Sequence, residues 1–159
     1  MPDTFELWDV IYTFLLSIVP IIELRGAIPL GAGLGLPWYI NYIVCVVGNF
    51  LPVPFILLFI RAVLNWMKKV PKLDKIALWL EERAAKNSDR VSKYATWGLM
   101  LFVAIPLPGT GAWTGSLVAA LLEMRLKHSL LSVFFGVLVA GVIVSLIAYG
   151  ALGFLNFLL

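Results

Sequence analysis

Two ionisable residues of opposite charge, Glu23 and Arg25, lie two positions apart inside a long apolar stretch. An ionisable side chain in an apolar segment is costly to bury and therefore marks a candidate functional site. In a helix, positions i and i+2 do not face each other, whereas in an extended segment they project to the same side. The pattern predicts a break in the helix here, with both groups facing one cavity. A structural ion pair that neutralises itself is the alternative.

The residues that follow this pair suggest an anion site. Arg25 and Gly26 stand directly before a segment, from Ala27 onward, that is predicted to be a second half-helix. A helix N-terminus offers free backbone N–H groups and the positive end of the helix dipole. An arginine beside such an end favours a phosphate or carboxylate. Glu23 is then predicted to act as a gate coupled to protons.

A second half-helix start with similar chemistry is predicted near residue 110. Thr110 and Gly111 precede it, and Thr114 follows one turn later. Two half-helix ends, one arginine and two hydroxyl groups would together bind an anion near the membrane midplane. Thr110 could instead serve only as a helix N-cap. Asn49, a polar residue in an apolar run beside two prolines, either bonds a freed carbonyl or lines the same cavity.

The residues that other kinds of chemistry usually require are missing from this sequence. One histidine and one cysteine cannot form a usual zinc site, so no metal is predicted. The sequence contains no nucleophile elbow, Walker loop or dinucleotide fingerprint. We therefore predict that the protein is not an enzyme and has no cofactor. Cys45 lies in an apolar run and is predicted to be a small buried hydrophobe.

The composition identifies the solvent that these elements face. The 159 residues are 62% hydrophobic and 13% charged, with a mean hydropathy of +0.98. Soluble domains carry roughly 25% charged residues. The chain is therefore predicted to be a single integral membrane domain, residues 1–159. Its charges are segregated along the chain, which argues against a nucleic-acid partner.

Four apolar regions are predicted to be membrane-embedded, and two of them are interrupted. Residues 38–60 and 129–157 are long enough to span a bilayer. Regions 7–36 and 94–122 contain residues that a straight helix would not choose. The predicted breaks are at Pro20, Pro29, Pro106, Pro108 and Gly109. Broken backbone at membrane depth requires protein or a water-filled cavity around it.

Each half, 1–60 and 94–159, thus has one broken segment followed by one span. If the broken segments are re-entrant hairpins, the two halves form an inverted repeat, as in many transporters. The loop 61–93, with nine basic and four acidic residues (net +5), is then cytoplasmic, and both termini lie outside. Residues 71–86 within it are predicted to form an interfacial amphipathic helix. Four kinked spans are the alternative, which would place Arg125 and Lys127 opposite the basic loop.

The motifs PIIELRGAIPLG (residues 20–31) and IPLPGTGAWTG (residues 105–115) resemble those of the small multidrug export protein family. That family in turn resembles the DedA, or VTT-domain, membrane proteins, which have two opposed re-entrant hairpins and are associated with moving polyprenyl-phosphate carrier lipids. The resemblance implies a prokaryotic plasma (inner) membrane. It also implies that Glu23 and Arg25 match the charged residues of the first DedA hairpin. Residues 94–122 depart from that pattern, because they contain no arginine.

These observations lead to three functional hypotheses. The first is a proton-coupled transporter or lipid flippase that binds an anionic, phosphate-bearing lipid or a small solute between the two broken helices. The second is a small cationic multidrug exporter in which Glu23 binds substrate and proton in turn. The third is a membrane scaffold without transport activity. Membrane lipids are predicted partners, and the sequence leaves a homodimer open.

Overall fold

The computed structural model of the chain describes residues 6–67, 88–107, 109–122 and 124–158. Within these ranges every regular element is an α-helix, which confirms the predicted all-α class. The helices, numbered in chain order, are α1 (Leu7–Ile18), α2 (Glu23–Gly33), α3 (Trp38–Phe50), α4 (Val53–Met67), α5 (Ser88–Ala104), α6 (Ala112–Leu121) and α7 (Leu126–Leu158). The predicted amphipathic helix, residues 71–86, lies outside the described residues.

Two helical segments are long and apolar enough to cross a membrane. They are Trp38–Ile60, which joins α3 and α4 through a short turn, and Leu126–Phe154 within α7. Both coincide with spans predicted from the sequence. The other two apolar regions contain the shorter helices α1, α5 and α6, which are too short to span a bilayer of about 30 Å alone.

The first predicted break lies between α1 and α2. α1 ends at Ile18, and Pro20 lies in the turn that follows. Ile21 has a φ of 82° and Glu23 a φ of 49°, which is the left-handed region that residues with a Cβ rarely adopt. The chain turns at these residues and enters α2 at Glu23, and α2 packs against α1.

α2 begins four residues earlier than the predicted start at Ala27. Arg25 and Gly26 consequently lie in the first turn of the helix instead of before it. The Gly26 N–H donates to the Ile22 carbonyl at 2.9 Å, so it is not free for a ligand. The predicted start was too late because the turn occupies residues 19–22, and regular helix follows it at once.

Pro29 lies inside α2 and does not end it, contrary to the prediction. A proline removes one backbone donor, which leaves the carbonyl four residues earlier without its usual partner. The surrounding helices hold this segment in place. The Asn41 side chain on α3 donates through Nδ2 to the Ile28 carbonyl at 2.8 Å, directly before the proline.

The second break separates α5 from α6. α5 ends at Ala104 and α6 begins at Ala112, with Pro106 and Gly109 between them as predicted. Pro108 lies outside the described residues. Gly109 and Gly111 have φ values of 81° and 145°, which the missing Cβ of glycine makes accessible.

The short helices pack on the long ones across the two halves of the chain. α2 contacts α1, α3 and also α7, whereas α6 contacts α4 and α7. Core side chains such as Leu24, Ile28, Val103 and Val137 are buried between them. This packing brings the α1–α2 turn against the α5–α6 turn, as the contacts described next show.

Candidate functional site

Glu23 and Arg25 form an ion pair in which Arg25 Nη1 donates to Glu23 Oε2 at 2.6 Å. Both side chains are largely buried, with 5% of Glu23 and 16% of Arg25 exposed. The sequence predicted that they meet through an extended segment, but they meet at the start of a helix. Because the φ of Glu23 is 49°, its side chain does not follow helical geometry, and the rule for positions i and i+2 does not apply.

Arg25 reaches from α2 to the end of α5 in the other half of the chain. Its Nη2 donates to the carbonyls of Val103 and Ile105 at 3.0 and 3.2 Å. The last carbonyls of a helix lack intrahelical donors and carry the negative end of the helix dipole. A guanidinium group therefore satisfies two of these oxygens and also interacts favourably with the dipole.

Glu23 makes the opposite contact with the start of α6. Its Oε1 accepts a hydrogen bond from the backbone N–H of Trp113, the second residue of that helix, at 3.1 Å. The residue at the N-cap position is Gly111, which has no side chain to cap the helix. The Glu23 carboxylate thus takes the place of an N-cap side chain at the start of α6. It accepts the hydrogen bond that such a side chain would accept from the first turn of the helix.

Gly111 is required at this position by its neighbours as well as by its φ of 145°. A Cβ atom built there would collide with the Glu23 carboxylate and with Arg25 Nη1. The ion pair therefore packs directly against the backbone of the second break. The structure brings together four of the predicted site residues: Glu23, Arg25, Thr110 and Gly111.

Thr110 has a different role from the predicted N-cap. Its Oγ1 lies 2.8 Å from each of the carbonyl oxygens of Ile105 and Leu107, so the hydroxyl group binds the turn that contains it. The same oxygen accepts from Arg25 Nη2 at 3.1 Å. Thr114 lies half-buried in the first turn of α6, and no hydrogen bond within the described residues joins it to the ion pair.

Asn49 is buried on α3, with 1% of the residue exposed. Neither its amide nitrogen nor its amide oxygen has a hydrogen-bond partner in the part of the chain that the structure describes. It therefore does not bond a freed carbonyl there, and no described contact joins it to Glu23 or Arg25. A buried amide without partners is costly, which is consistent with an internal polar ligand or water.

Sequence reasoning missed two groups that position the site. The first is the indole of Trp113, whose Nε1 donates to the Ile18 carbonyl at the end of α1 at 3.0 Å. Through its backbone and side chain, Trp113 thus binds both sides of the first break. An aromatic residue two positions after the Gly109-Thr110-Gly111 turn was the available signal, but packing was an equally good explanation of it.

The second missed group is a buried network at the far end of α2. The Tyr149 hydroxyl on α7 donates to the Leu36 carbonyl at 2.6 Å and accepts from Asn41 Nδ2 at 3.0 Å. The Cys45 thiol donates to Asn41 Oδ1 at 3.3 Å, so Cys45 is buried as predicted. These bonds tie the α2–α3 turn to α7. A polar residue in an apolar span was visible at Asn41, yet its partner on α7 was not.

The arrangement is suited to holding a negatively charged group. It combines a buried arginine, the N-terminus of α6 and a threonine hydroxyl, and its anion position is filled by the protein's own carboxylate. Arg25 Nε is buried and has no hydrogen-bond partner in the described ranges, so one donor of the guanidinium group is unused.

The fold and this site together define a helical membrane protein with a buried ion pair, Glu23–Arg25, between two breaks in its apolar helices. The chain belongs to the family described as "putative small multi-drug export protein", whose family model matches residues 23–143. The match begins at Glu23, directly after the first break, and includes the second break. No curated protein and no solved structure matches the chain.

Proposed function

We propose that this protein transports an anionic substrate across the membrane at the site formed by Arg25, Thr110 and the N-terminus of α6. The observation that carries the proposal is the position of the Glu23 carboxylate. It accepts from both Arg25 Nη1 and the Trp113 N–H, which are the donors that a phosphate or carboxylate would use. Protonation of Glu23 would free these donors and couple transport to protons.

The proposed architecture is a pair of re-entrant hairpins, α1–α2 and α5–α6, in an inverted repeat. The packing supports this, because α2 contacts the span of the other half, α7, and α6 contacts α4 in the same manner. The proposed membrane is the inner membrane of a prokaryote, with the basic loop 61–93 in the cytoplasm and both termini outside. The site would then lie near the bilayer midplane, where the two turns meet.

A phosphate-bearing lipid or a small amphiphilic solute fits the surroundings of the site. Apolar side chains at the two turns face outward: Ile21 is 98% exposed and Leu107 is 56% exposed. A ligand with a charged head and an apolar tail could bind Arg25 and also cover these side chains. A fully hydrophilic anion would leave them uncovered.

Export of small cationic drugs is the second candidate, and the family description names multi-drug export without giving the charge of the drugs. Glu23 would then bind the cation and a proton in turn. The contacts of Glu23 argue against this reading, because Arg25 already pairs with the carboxylate at 2.6 Å and would repel a cation. The two candidates predict ligands of opposite charge.

Ligand binding by the purified full-length protein tests the proposal. Thermal shift and native mass spectrometry would compare a long-chain alkyl phosphate, inorganic phosphate and a lipophilic quaternary ammonium compound. We expect the alkyl phosphate to bind, Arg25→Ala to abolish its binding and Arg25→Lys to recover part of it, because lysine lacks the bidentate fork.

Arg125→Ala is the matched control, since it removes the same charge from an exposed position outside the site. Binding that is unchanged in Arg25→Ala would contradict the proposal. Binding of the ammonium compound alone would favour cation export. No response to any of the three ligands would favour a scaffold in which the ion pair only stabilises the fold.

A further inference from the structure

We infer that Glu23 and the transported anion compete for one seat, so that binding of each anion is accompanied by the uptake of one proton at Glu23. This inference rests on the proposed function and adds the stoichiometry and the direction of coupling. The seat consists of Arg25 Nη1 and the Trp113 N–H, and in this structure both donate to the carboxylate of Glu23.

The geometry leaves room for one negative group at this seat. A methyl group at Gly111 would already collide with the Glu23 carboxylate and with Arg25, so the pair fills the space against the α6 backbone. Two anions beside a single arginine would also place an unpaired charge in a buried site, which is strongly unfavourable. An arriving anion therefore requires that Glu23 leave the seat or lose its charge.

The backbone that carries Glu23 is strained in the occupied state. Ile21 and Glu23 both have positive φ values, 82° and 49°, and Ile21 is β-branched. Such residues are costly unless surrounding contacts hold them in place. The Glu23 carboxylate accepts from the Trp113 N–H, and the Trp113 indole donates to the Ile18 carbonyl, so both contacts hold this turn against α6. Release of the carboxylate removes one of these two contacts.

The other titratable groups on the described helices that pack against α2 are either exposed or bonded elsewhere. The exposed ones are Tyr12 on α1, Tyr39 on α3, and Lys127 and His128 on α7. On α3 the Tyr42 hydroxyl donates to the Leu138 carbonyl and the Cys45 thiol to Asn41; on α7 the Tyr149 hydroxyl donates to the Leu36 carbonyl. On α1, Asp9 accepts from the Glu6 N–H at the far end of the helix. Helix α6 carries no titratable side chain. Arg25 is thus the charged side chain that contacts Glu23 within the described residues.

The linkage fixes the direction of transport relative to the proton gradient. If the anion and the proton bind together, they cross the membrane together, and an inward proton gradient drives the anion inward. A cation that displaced the proton from Glu23 would move in the opposite direction, which is export. The proton count at this one residue therefore separates anion uptake from cation export.

Sulfate binding by the detergent-purified full chain tests the inference, because sulfate remains a dianion throughout the neutral range. At pH values where Glu23 is ionised in the empty protein, we expect the sulfate Kd to increase tenfold for each unit of pH. Calorimetry in buffers of different ionisation enthalpy should show the uptake of one proton per sulfate bound.

Glu23→Gln should bind sulfate with no dependence on pH and no proton uptake, and Arg125→Ala should behave like the wild type. A result in which Glu23→Gln binds sulfate and the wild type does not would also support the inference, since it would show that the carboxylate blocks the seat. Sulfate binding by the wild type without proton uptake would overturn the inference and leave the proposed function intact. If Glu23→Gln does not fold, the number of protons that the wild type takes up per sulfate bound tests the inference by itself. Failure of both proteins to bind sulfate at any pH would overturn the inference, whereas the proposed function is tested separately by the binding of the long-chain alkyl phosphate.

Discussion

The carboxylate of Glu23 accepts a hydrogen bond from the backbone N–H of Trp113, although the two residues are 90 positions apart in the chain. The same carboxylate pairs with Arg25, whose other guanidinium nitrogen binds carbonyls at the end of α5. One pair of charges from the first break therefore satisfies both helix ends at the second break. The two breaks depend on each other, and the following predictions measure how strongly.

Gly111→Ala should destabilise the protein more than Gly109→Ala. Both glycines have positive φ, so each alanine costs about 1–3 kcal/mol in backbone strain. A Cβ at Gly109 meets nothing within 4 Å, whereas one at Gly111 collides with the ion pair. We expect an additional loss of about 1–3 kcal/mol for Gly111→Ala from this overlap. Thermal unfolding in detergent would measure the stability of both variants. Equal losses of stability would show that the ion pair moves away from the added Cβ at no cost in free energy.

The two charges of the ion pair should differ in their contribution to stability. Arg25→Ala leaves a buried carboxylate unpaired and removes contacts to two carbonyls, so we expect a loss of about 3–5 kcal/mol. Glu23→Gln keeps an oxygen that accepts from Trp113, and Arg25 keeps its carbonyl partners. The loss of stability in Glu23→Gln should therefore be about 1.5–3 kcal/mol.

The double variant Glu23→Gln with Arg25→Ala should be more stable than Arg25→Ala alone, because it contains no buried charge. Chemical unfolding of all three variants in the same detergent gives the coupling energy. A double variant that loses the full sum of the two single losses would show that the charges act independently.

Trp113→Phe should weaken the contact between α6 and the end of α1 without changing the anion seat. The substitution removes the indole donor to the Ile18 carbonyl, which contributes about 0.5–1.5 kcal/mol, and keeps the ring and the backbone N–H. Trp97→Phe is the control, because Trp97 is 62% exposed. A lower melting temperature for Trp113→Phe with unchanged anion affinity is expected. A change in the affinity alone would place the indole in the binding site itself.

Tyr149→Phe should destabilise the far end of α2. It removes a 2.6 Å hydrogen bond to the Leu36 carbonyl and an acceptor for Asn41, both of them partly buried, at a cost of about 1–3 kcal/mol. Tyr39→Phe, at an exposed tyrosine of α3, should leave stability unchanged. Detergent melting curves test this pair of variants. Equal melting temperatures would mean that water replaces the Tyr149 hydroxyl group.

Cysteines introduced by Lys75→Cys and by Lys127→Cys, each in a Cys45→Ala background, should react with an impermeant thiol reagent from the same side of the membrane. The reason is the positive charge of both connections, which the positive-inside rule places in the cytoplasm. Labelling of right-side-out and inverted vesicles distinguishes the sides. Reaction of the Lys127→Cys variant from the outside only would exclude the hairpins and favour four kinked spans.

Much of the architecture could be read from the sequence. Apolar runs of 23 residues or more predict spans because a bilayer has a fixed thickness, and Trp38–Ile60 and Leu126–Phe154 are helical as predicted. Pro20, Pro106 and Gly109 lie in breaks because proline lacks a backbone donor and glycine tolerates unusual φ values. The charges of Glu23 and Arg25 marked the site because an ionisable group is costly in an apolar segment.

Only the tertiary structure decided what those residues contact. The sequence could not show that α2 continues through Pro29, or that Asn41 from another helix binds the carbonyl directly before that proline. It could not show that the Glu23 carboxylate lies at the start of α6, or that Thr110 binds its own turn. Local sequence determines where a helix breaks, since backbone donors and φ preferences belong to single residues. The partners of the broken ends come from packing between distant segments, and no local pattern records them.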